Sequence, residues 1–98
     1  MFIKIHKAYR DIVAICDSDL IGKSFEEGIK ILEARESFYK GDIKEEKEMI
    51  KIMKDLAKED ATFNIIGKKS CDCALKAGII SKEGIKSVQG VPFALVLL

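Results

Sequence analysis

The fold is organised around one stretch of the chain, residues 41–59, whose sequence is GDIKEEKEMIKIMKDLAKE. If this stretch is a helix, its apolar residues lie on one side and its charged residues on the other, as expected for an amphipathic helix. Asp42, followed three residues later by Glu45, resembles a capping box at the helix start. The stretch therefore predicts a helix that begins at Gly41-Asp42 and covers a core or a sheet with one apolar stripe: Ile43, Met49, Ile50, Ile52, Met53, Leu56 and Ala57.

Two short apolar segments near the N-terminus have the pattern of β-strands. Residues 2–6 alternate, with Ile3 and Ile5 on one face, and residues 11–16 are mostly β-branched and apolar. Such segments are typical of strands. Because only the polar residues 7–10 separate them, they predict an antiparallel hairpin.

The segment between this hairpin and the main helix predicts a further turn and a third strand. The segment Asp17-Ser18-Asp19 can cap a short helical turn through Leu20 and Ile21, which Gly22 would end. Gly28 predicts a chain reversal, and residues 29–34 predict a strand after it.

On the C-terminal side of the main helix, residues 61–66 are apolar and predict either a strand or the entry to a helix. Residues 67–77 predict a second helix, which Gly78 ends as a C-cap. Residues 85–89 and 93–98 predict two final strands joined by a turn over residues 90–92. Because the last strand carries no charge, it is expected to be central and buried on both faces.

The predicted order is β-β-β-α-β-α-β-β, with the element at residues 61–66 left open between strand and helix entry. A chain of 98 residues suits one compact domain. The pattern predicts a single α+β domain over residues 1–98, with two helices packed on one face of a mixed, mostly antiparallel sheet.

The charge is balanced overall but unevenly distributed. Lys and Arg number 17 and Asp and Glu number 16, which argues against a histone-like binder that neutralises phosphates with a large basic excess. Residues 1–16 carry a net charge of +2, residues 17–60 of −4 and residues 61–98 of +3. If the first and last strands are neighbours, one face can bind RNA or another anion through Lys4, His6, Lys7, Arg10, Lys68, Lys69 and Lys86.

Gly67-Lys68-Lys69, at the start of the second predicted helix, is the segment that most resembles a binding site, in this case for an anion. Helix N-termini favour anions because their backbone N–H groups are free and the helix dipole is positive there. The segment lacks the spacing of a Walker A loop. The simpler interpretation is a glycine at a helix start followed by two solvated lysines.

No residue set predicts catalysis, a metal site or a cofactor. Cys71 and Cys73 lie two apart on a predicted helix, so they point about 200° away from each other, and Cys16 suits an apolar strand. His6 is the only histidine, so no catalytic residue is assigned and an enzyme is not favoured. Tyr39 and Phe93 are candidates for contact with a partner, while one ring of Phe38-Tyr39 is expected to pack on the main helix.

The cellular compartment is predicted from three patterns that the sequence lacks: a membrane span, a signal peptide and a disulfide framework. The longest apolar stretch, residues 91–98, is less than half of a membrane span, and the N-terminus has no signal-peptide pattern. The odd number of cysteines does not suit a disulfide framework. A cytoplasmic protein without a membrane partner is expected. The abundance of Lys and Ile favours either a thermophile or an AT-rich genome, and both remain open.

Several short motifs together resemble an archaeal family, the domain of unknown function 424 family. They are KIH at 4–6, LIGK at 20–23, FYKG at 38–41, NIIG at 64–67, AGII at 77–80 and GVPFA at 90–94. The resemblance covers nearly the whole chain. It implies a cytoplasmic archaeal protein with a role in translation or RNA binding, and it transfers no catalytic residue.

Three functions remain open from the sequence. The first is a non-enzymatic module that binds ribosomal or structured RNA or a translation protein, with binding lost when Lys68 and Lys69 become Glu. The second is a protein–protein adaptor or homodimer, since the uncharged C-terminal strand can present an edge. The third is a binder of, or enzyme for, a small phosphorylated ligand held at Gly67. The oligomeric state is left open.

Overall fold

Two sheets and three α-helices make up residues 1–97, the part of the chain that the computed structural model describes. The strands are β1 (Phe2–His6), β2 (Ile12–Cys16), β3 (Ser24–Glu27), β4 (Lys30–Glu33), β5 (Asp42–Ile43), β6 (Thr62–Ile66), β7 (Lys86–Val88) and β8 (Val91–Val96). The helices are α1 (Glu36–Tyr39), α2 (Glu46–Lys58) and α3 (Lys68–Ala77). Single 3-10 turns lie at Ser18–Leu20 and Lys82–Gly84.

The larger sheet has six strands in the order β5-β1-β2-β6-β8-β7. β1 and β2 form the predicted antiparallel hairpin, with Ile3 opposite Ile15. β2 and β6 are parallel, and the other neighbouring pairs are antiparallel. The prediction of a mixed, mostly antiparallel sheet in an α+β fold is confirmed.

One face of this sheet is covered by α2 and α3, as the apolar stripe predicted. Met49 and Met53 of α2 are fully buried there, and Phe63 lies at the centre of the sheet face beneath them. Burial of this face is the main stabilising contribution to the fold, because the free energy scales with the apolar area removed from water. The core on this face comprises Ile3, Val13, Ile15, Met49, Met53, Ala61, Phe63, Ile65, Cys71, Cys73 and Ala74.

The opposite face of the sheet is covered by a small hairpin, β3–β4, and by α1; of these, the sequence predicted only β4, as the strand at residues 29–34. Leu32 and Tyr39 from these elements pack on Ala14, Cys16 and Ile66 of the sheet. At the rim, the carboxylate of Glu27 accepts a hydrogen bond of 2.7 Å from the backbone N–H of Gln89. The fold thus has a second core, and Lys4 and His6 of β1 lie beside it.

The start of α2 differs from the sequence prediction. The helix begins at Glu46, and Asp42–Ile43 forms β5, which pairs with the start of β1. The backbone N–H of Lys44 also donates to Met1 O at 2.9 Å. Pairing with a distant strand therefore overrides the local capping pattern of Asp42 and Glu45.

The C-terminal strand differs as well. β8 spans Val91–Val96, so the reversal lies at residues 89–90 and Pro92 is inside the strand. β8 is not central, because only β7 lies outside it, and Leu95 is 56% exposed. The prediction of burial on both faces is wrong: on the face away from α2 and α3, the β3–β4 hairpin contacts β7 and α1 contacts β1 and β2, while Leu95 of β8 stays exposed. The last predicted strand residue, Leu98, lies outside the described residues.

Between α2 and β7, the observed elements agree more closely with those predicted from the sequence. Residues 62–66 form a strand, which resolves the ambiguity at residues 61–66, and α3 follows it directly. Gly78 ends α3 in the left-handed conformation with a φ of 74°, as predicted for a C-cap. Within residues 1–97, every helix is too short or too polar to cross a bilayer.

Candidate nucleic-acid interface

The N-terminal end of α3, where the sequence indicates an anion site, is occupied by the carboxylate of Asp17. The backbone N–H of Lys69 donates to Asp17 Oδ2 at 3.1 Å, and that of Ser70 donates to Oδ1 at 2.8 Å. The Ser70 hydroxyl donates to the same oxygen at 2.7 Å. The donors expected to hold an external anion already bind an internal one, so the structure corrects the expectation of an open anion site at Gly67.

Asp17 reaches this position because two parallel strands end at the same edge of the sheet. Asp17 follows β2 and Gly67 follows β6, and the N–H of Asp17 donates to Ile66 O at 3.0 Å. Asp17 makes no side-chain bond to the 3-10 turn that it was predicted to cap. It caps a helix about fifty residues further along the chain instead, and no local pattern reveals this because the contact depends on the β2–β6 pairing.

Lys68 and Lys69 are exposed, but they lie on the helix-covered side of the sheet. Lys69 faces a cavity of about 420 Å³ between the starts of α2 and α3. Acidic and basic groups alternate around this cavity, where Lys76 pairs with Glu46. Its lining comprises Met1, Ile43, Lys44, Glu45, Glu46, Lys69, Asp72, Cys73 and Lys76. Lys68 and Lys69 are therefore separated from the N-terminal basic residues.

Lys4 and His6 lie together on the opposite face of β1 and contact the end of α1. Lys4 Nζ donates to Ser37 O at 2.8 Å, and His6 Nε2 lies 2.8 Å from Phe38 O. The His6 and Phe38 rings are stacked, with centroids 4.4 Å apart and planes inclined by 17°. Both side chains satisfy carbonyl groups that a helix end leaves free. They also form a half-exposed platform with two stacked rings and a cation.

The turn between β1 and β2 follows this platform along the chain and exposes Tyr9, which was not among the predicted site residues; Tyr9 and Arg10 line a pocket with Glu59, Asp60 and Ala61 after the end of α2. The Tyr9 side chain is fully exposed, between the exposed residues Lys7 and Arg10. Lys7 Nζ pairs with Asp11 Oδ2 at 3.2 Å, and the N–H of Ala8 donates to the same carboxylate at 3.4 Å, so Asp11 links the two ends of the turn. An aromatic residue flanked by basic ones within a predicted turn is a signal that was available in the sequence.

We call these neighbouring residues the β1 surface: Lys4, His6, Lys7, Tyr9, Arg10 and Phe38. It is distant from the start of α3, because the turn and α3 lie at opposite ends of β2. At about 3.3 Å per residue, a five-residue strand separates them by about 15 Å. Lys86 lies on β7, at the far side of the sheet from β1. The predicted basic face is thus divided: Lys4 and His6 lie together against α1, Lys7 and Arg10 lie in the adjoining turn with Arg10 beside Glu59 and Asp60, and the other members lie elsewhere.

Tyr39 and Phe93, the candidates for partner contact, both face the second core. Tyr39 is only 7% exposed, and its ring meets the edge of Phe38 at a centroid distance of 5.0 Å. Phe93 is half-buried and packs against the same cluster. The burial of Tyr39, the last residue of α1, argues against its assignment as a contact residue, whereas the assignment of Phe93, which stays half-exposed, remains a prediction.

The three cysteines are free and buried. Burial, with a smaller contribution from Asp17, raises the pKa of Cys16 and of Cys71 to about 12. Burial also raises the pKa of Cys73. These groups are therefore protonated at neutral pH, a state that disfavours nucleophilic attack and metal binding. Within residues 1–97, no three His, Cys, Asp or Glu side chains are grouped so as to hold a metal ion.

We expect the protein to lose stability as the pH rises above about 9. Burial raises the pKa of Tyr39, like that of Cys16 and Cys71, to about 12. These groups titrate at 9.0 and 10.0 when unperturbed, so the unfolded chain releases protons first and unfolding is favoured between pH 9 and 12. Urea midpoints measured from pH 7 to 11 test this. The decline should be shallower in Cys16→Ala; an equal decline in both proteins would contradict the assignment.

The comparisons with known proteins concern the fold and the family. A crystal structure described as "an uncharacterized conserved protein from Methanopyrus kandleri", an archaeon, is similar to this chain with a TM-score of 0.85 and 25% sequence identity. The alignment covers 98% of this chain and 90% of that one. No curated protein matches the chain. A family model described as "Protein of unknown function (DUF424)" matches residues 6–98, which confirms the predicted resemblance, and the chain therefore belongs to that family.

Proposed function

We propose that this protein is a non-enzymatic module that binds ribosomal or other structured RNA through the β1 surface. The observation that carries the proposal is the fully exposed Tyr9 ring between Lys7 and Arg10 at the tip of a turn. Exposed aromatic rings stack with unpaired bases, and neighbouring cations bind phosphates. We propose that this RNA binding takes place in translation.

Two features of the structure support this proposal, namely the turn linked by Asp11 and the stacked rings of His6 and Phe38. The turn that bears Tyr9 is held by Asp11, so little conformational entropy is lost when RNA binds. The stacked rings of His6 and Phe38, with Lys4 beside them, extend the contact area along β1. Because Lys4 and His6 also bind α1 carbonyls, the substitutions that test binding are best made in the turn.

We expect Tyr9→Ala to weaken RNA binding by about 5- to 150-fold, which corresponds to about 1–3 kcal/mol for one stacked base. The probe is a fluorescently labelled RNA stem-loop, measured by anisotropy. Ile29→Ala is the matched control, since Ile29 is also fully exposed at a hairpin tip. Neither change should alter stability, because neither side chain is buried. Equal affinities of Tyr9→Ala and the unaltered protein would refute the role of Tyr9.

The contribution of charge is tested by Lys7→Glu against Lys68→Glu. The two changes alter net charge equally, but Lys7 belongs to the β1 surface and Lys68 lies at the opposite end of the sheet. We expect Lys7→Glu to weaken binding and to lower the slope of log affinity against log salt by about one, whereas Lys68→Glu leaves both nearly unchanged. If the two variants lose affinity equally, the RNA is held by non-specific electrostatic attraction to the whole protein, and the β1 surface is not the interface.

A further inference from the structure

A second surface of interest is the outer edge of β8. β7 pairs with Val91, Pro92 and Phe93 and begins opposite Phe93, at Lys86. Within residues 1–97, residues 94–97 therefore have no paired strand on that side, and residues 82–85, which precede β7, approach β8 from this end.

The backbone groups at this edge can be assigned from one hydrogen bond. The N–H of Gly67 donates to Pro92 O at 2.8 Å, so the Pro92 carbonyl points toward β6. In an antiparallel ladder, successive residues direct their N–H and C=O groups to alternate sides. The backbone groups of Leu95 and Leu97 therefore point away from β6, where β7 does not reach.

The side chains at this edge are apolar and exposed. Leu95 is 56% exposed and Leu97 is 76% exposed, and both lie on the face of the sheet away from α2 and α3, on the side of Phe93. Residues 91–97 contain no charged side chain. Natural sheet edges are usually protected by charges, proline or a bulge. The one proline of the chain, Pro92, lies in the part of β8 that β7 already covers.

We propose that a second copy of this chain pairs with this edge, β8 to β8 and antiparallel, about a twofold axis near Val96. Leu95 then lies opposite Leu97 of the partner subunit, and each pair of residues exchanges backbone hydrogen bonds. The register follows from β7, since a longer overlap would meet Lys86 of either copy. The two six-stranded sheets become one continuous sheet.

The character of the edge favours a second copy over a different protein. A twofold contact places the same surface against itself, so it must be self-complementary. An uncharged segment meets this condition because no like charges are brought together, and it offers no charged group that would select another partner. Another unpaired edge, at Ile5 of β1, is flanked by Lys4 and by Lys7, whose charges disfavour self-pairing.

The oligomeric state of the intact chain tests this proposal. Light scattering and sedimentation at low and high micromolar concentration should give a mass that rises toward twice 10.9 kDa. Leu95→Lys and, separately, Leu97→Lys should hold the mass at that of one chain, because each places like charges across the axis. Ile31→Lys is the control, since Ile31 is an exposed strand residue of β4 with 62% exposure, and it should remain dimeric.

A monomeric wild-type protein at all concentrations would overturn the proposal. So would a dimer that persists in both lysine variants, since another surface would then be responsible. Circular dichroism establishes that each variant is folded, and two independent positions prevent one misfolded variant from deciding the result. The edge shares no residue with the β1 surface, so the dimer and RNA binding succeed or fail separately.

Discussion

Gly67→Ala is expected to destabilise the protein by about 3–5 kcal/mol, a large part of the about 5–15 kcal/mol that stabilises a typical domain. Gly67 has a φ of 112°, which residues with a side chain rarely adopt. A Cβ atom at this position would lie 2.2 Å from Cγ of Asp17 and 2.5 Å from its Oδ2. Asp17 is buried and bonded to the start of α3, so it cannot move away without loss of those bonds. Urea unfolding followed by circular dichroism measures the change.

A double-mutant cycle separates the steric cause from the conformational one. Asp17→Ala alone should cost about 2–3 kcal/mol, since charge-assisted hydrogen bonds to Lys69, Ser70 and the Ser70 hydroxyl are lost. In that background, Gly67→Ala should cost clearly less than in the unaltered protein, because the carboxylate it would meet is gone. Strict additivity of the two changes would show that the clash with Asp17 is not the cause.

Phe63→Ala is expected to destabilise the protein by about 3–5 kcal/mol. Phe63 is 0% exposed and belongs to the core beneath α2 and α3, with Met49 and Met53 in the same cluster. Its removal leaves a cavity that helices anchored at several points cannot close, so the lost apolar burial and the lost packing contacts add. The free energy of unfolding in urea and the thermal midpoint are the measurements.

Two control substitutions calibrate that result. Tyr9→Ala removes an aromatic side chain that is fully exposed, and it should change stability by less than about 0.5 kcal/mol. Phe63→Leu retains most of the apolar volume and should cost less than about 1.5 kcal/mol. If Phe63→Ala were no more harmful than Tyr9→Ala, α2 and α3 would not be packed on this face in solution.

The internal capping of α3 also bears on function. With Asp17 at the helix start, a phosphate would have to displace a buried carboxylate that accepts three hydrogen bonds. This favours the β1 surface over Gly67 as the place where the protein meets an anion. It also explains why Lys68 serves as a control for Lys7 and not as a second binding residue.

Periodicity allowed the prediction of elements whose pattern is local. The α2 stripe, the β1–β2 hairpin and the C-cap at Gly78 were all predicted, because each depends on residues a few positions apart. The small elements α1, β3 and β5 were missed. These elements have four or fewer residues and no clear apolar periodicity of their own.

The candidate site was less predictable than the fold. Lys4, His6, Lys7 and Arg10 were selected by charge and do lie on β1 and the turn that follows it, but Lys68 and Lys69 were selected on the same criterion and lie elsewhere. Charge alone carries no information on which ends of which strands meet. Tyr9 was overlooked although its place between Lys7 and Arg10 in a predicted turn was visible in the sequence, because the residues were selected by charge alone.

By itself, the sequence determined the fold class, the two long helices, most of the larger strands and the family, because these follow from apolar periodicity and from short motifs in order. The tertiary structure alone decided that Asp17 caps α3, that Tyr39 and Phe93 face a second core, and that β8 has an open edge. The physical reason is the parallel pairing of β2 with β6. That contact joins residues about fifty positions apart, and it sets which strand ends, faces and edges become neighbours.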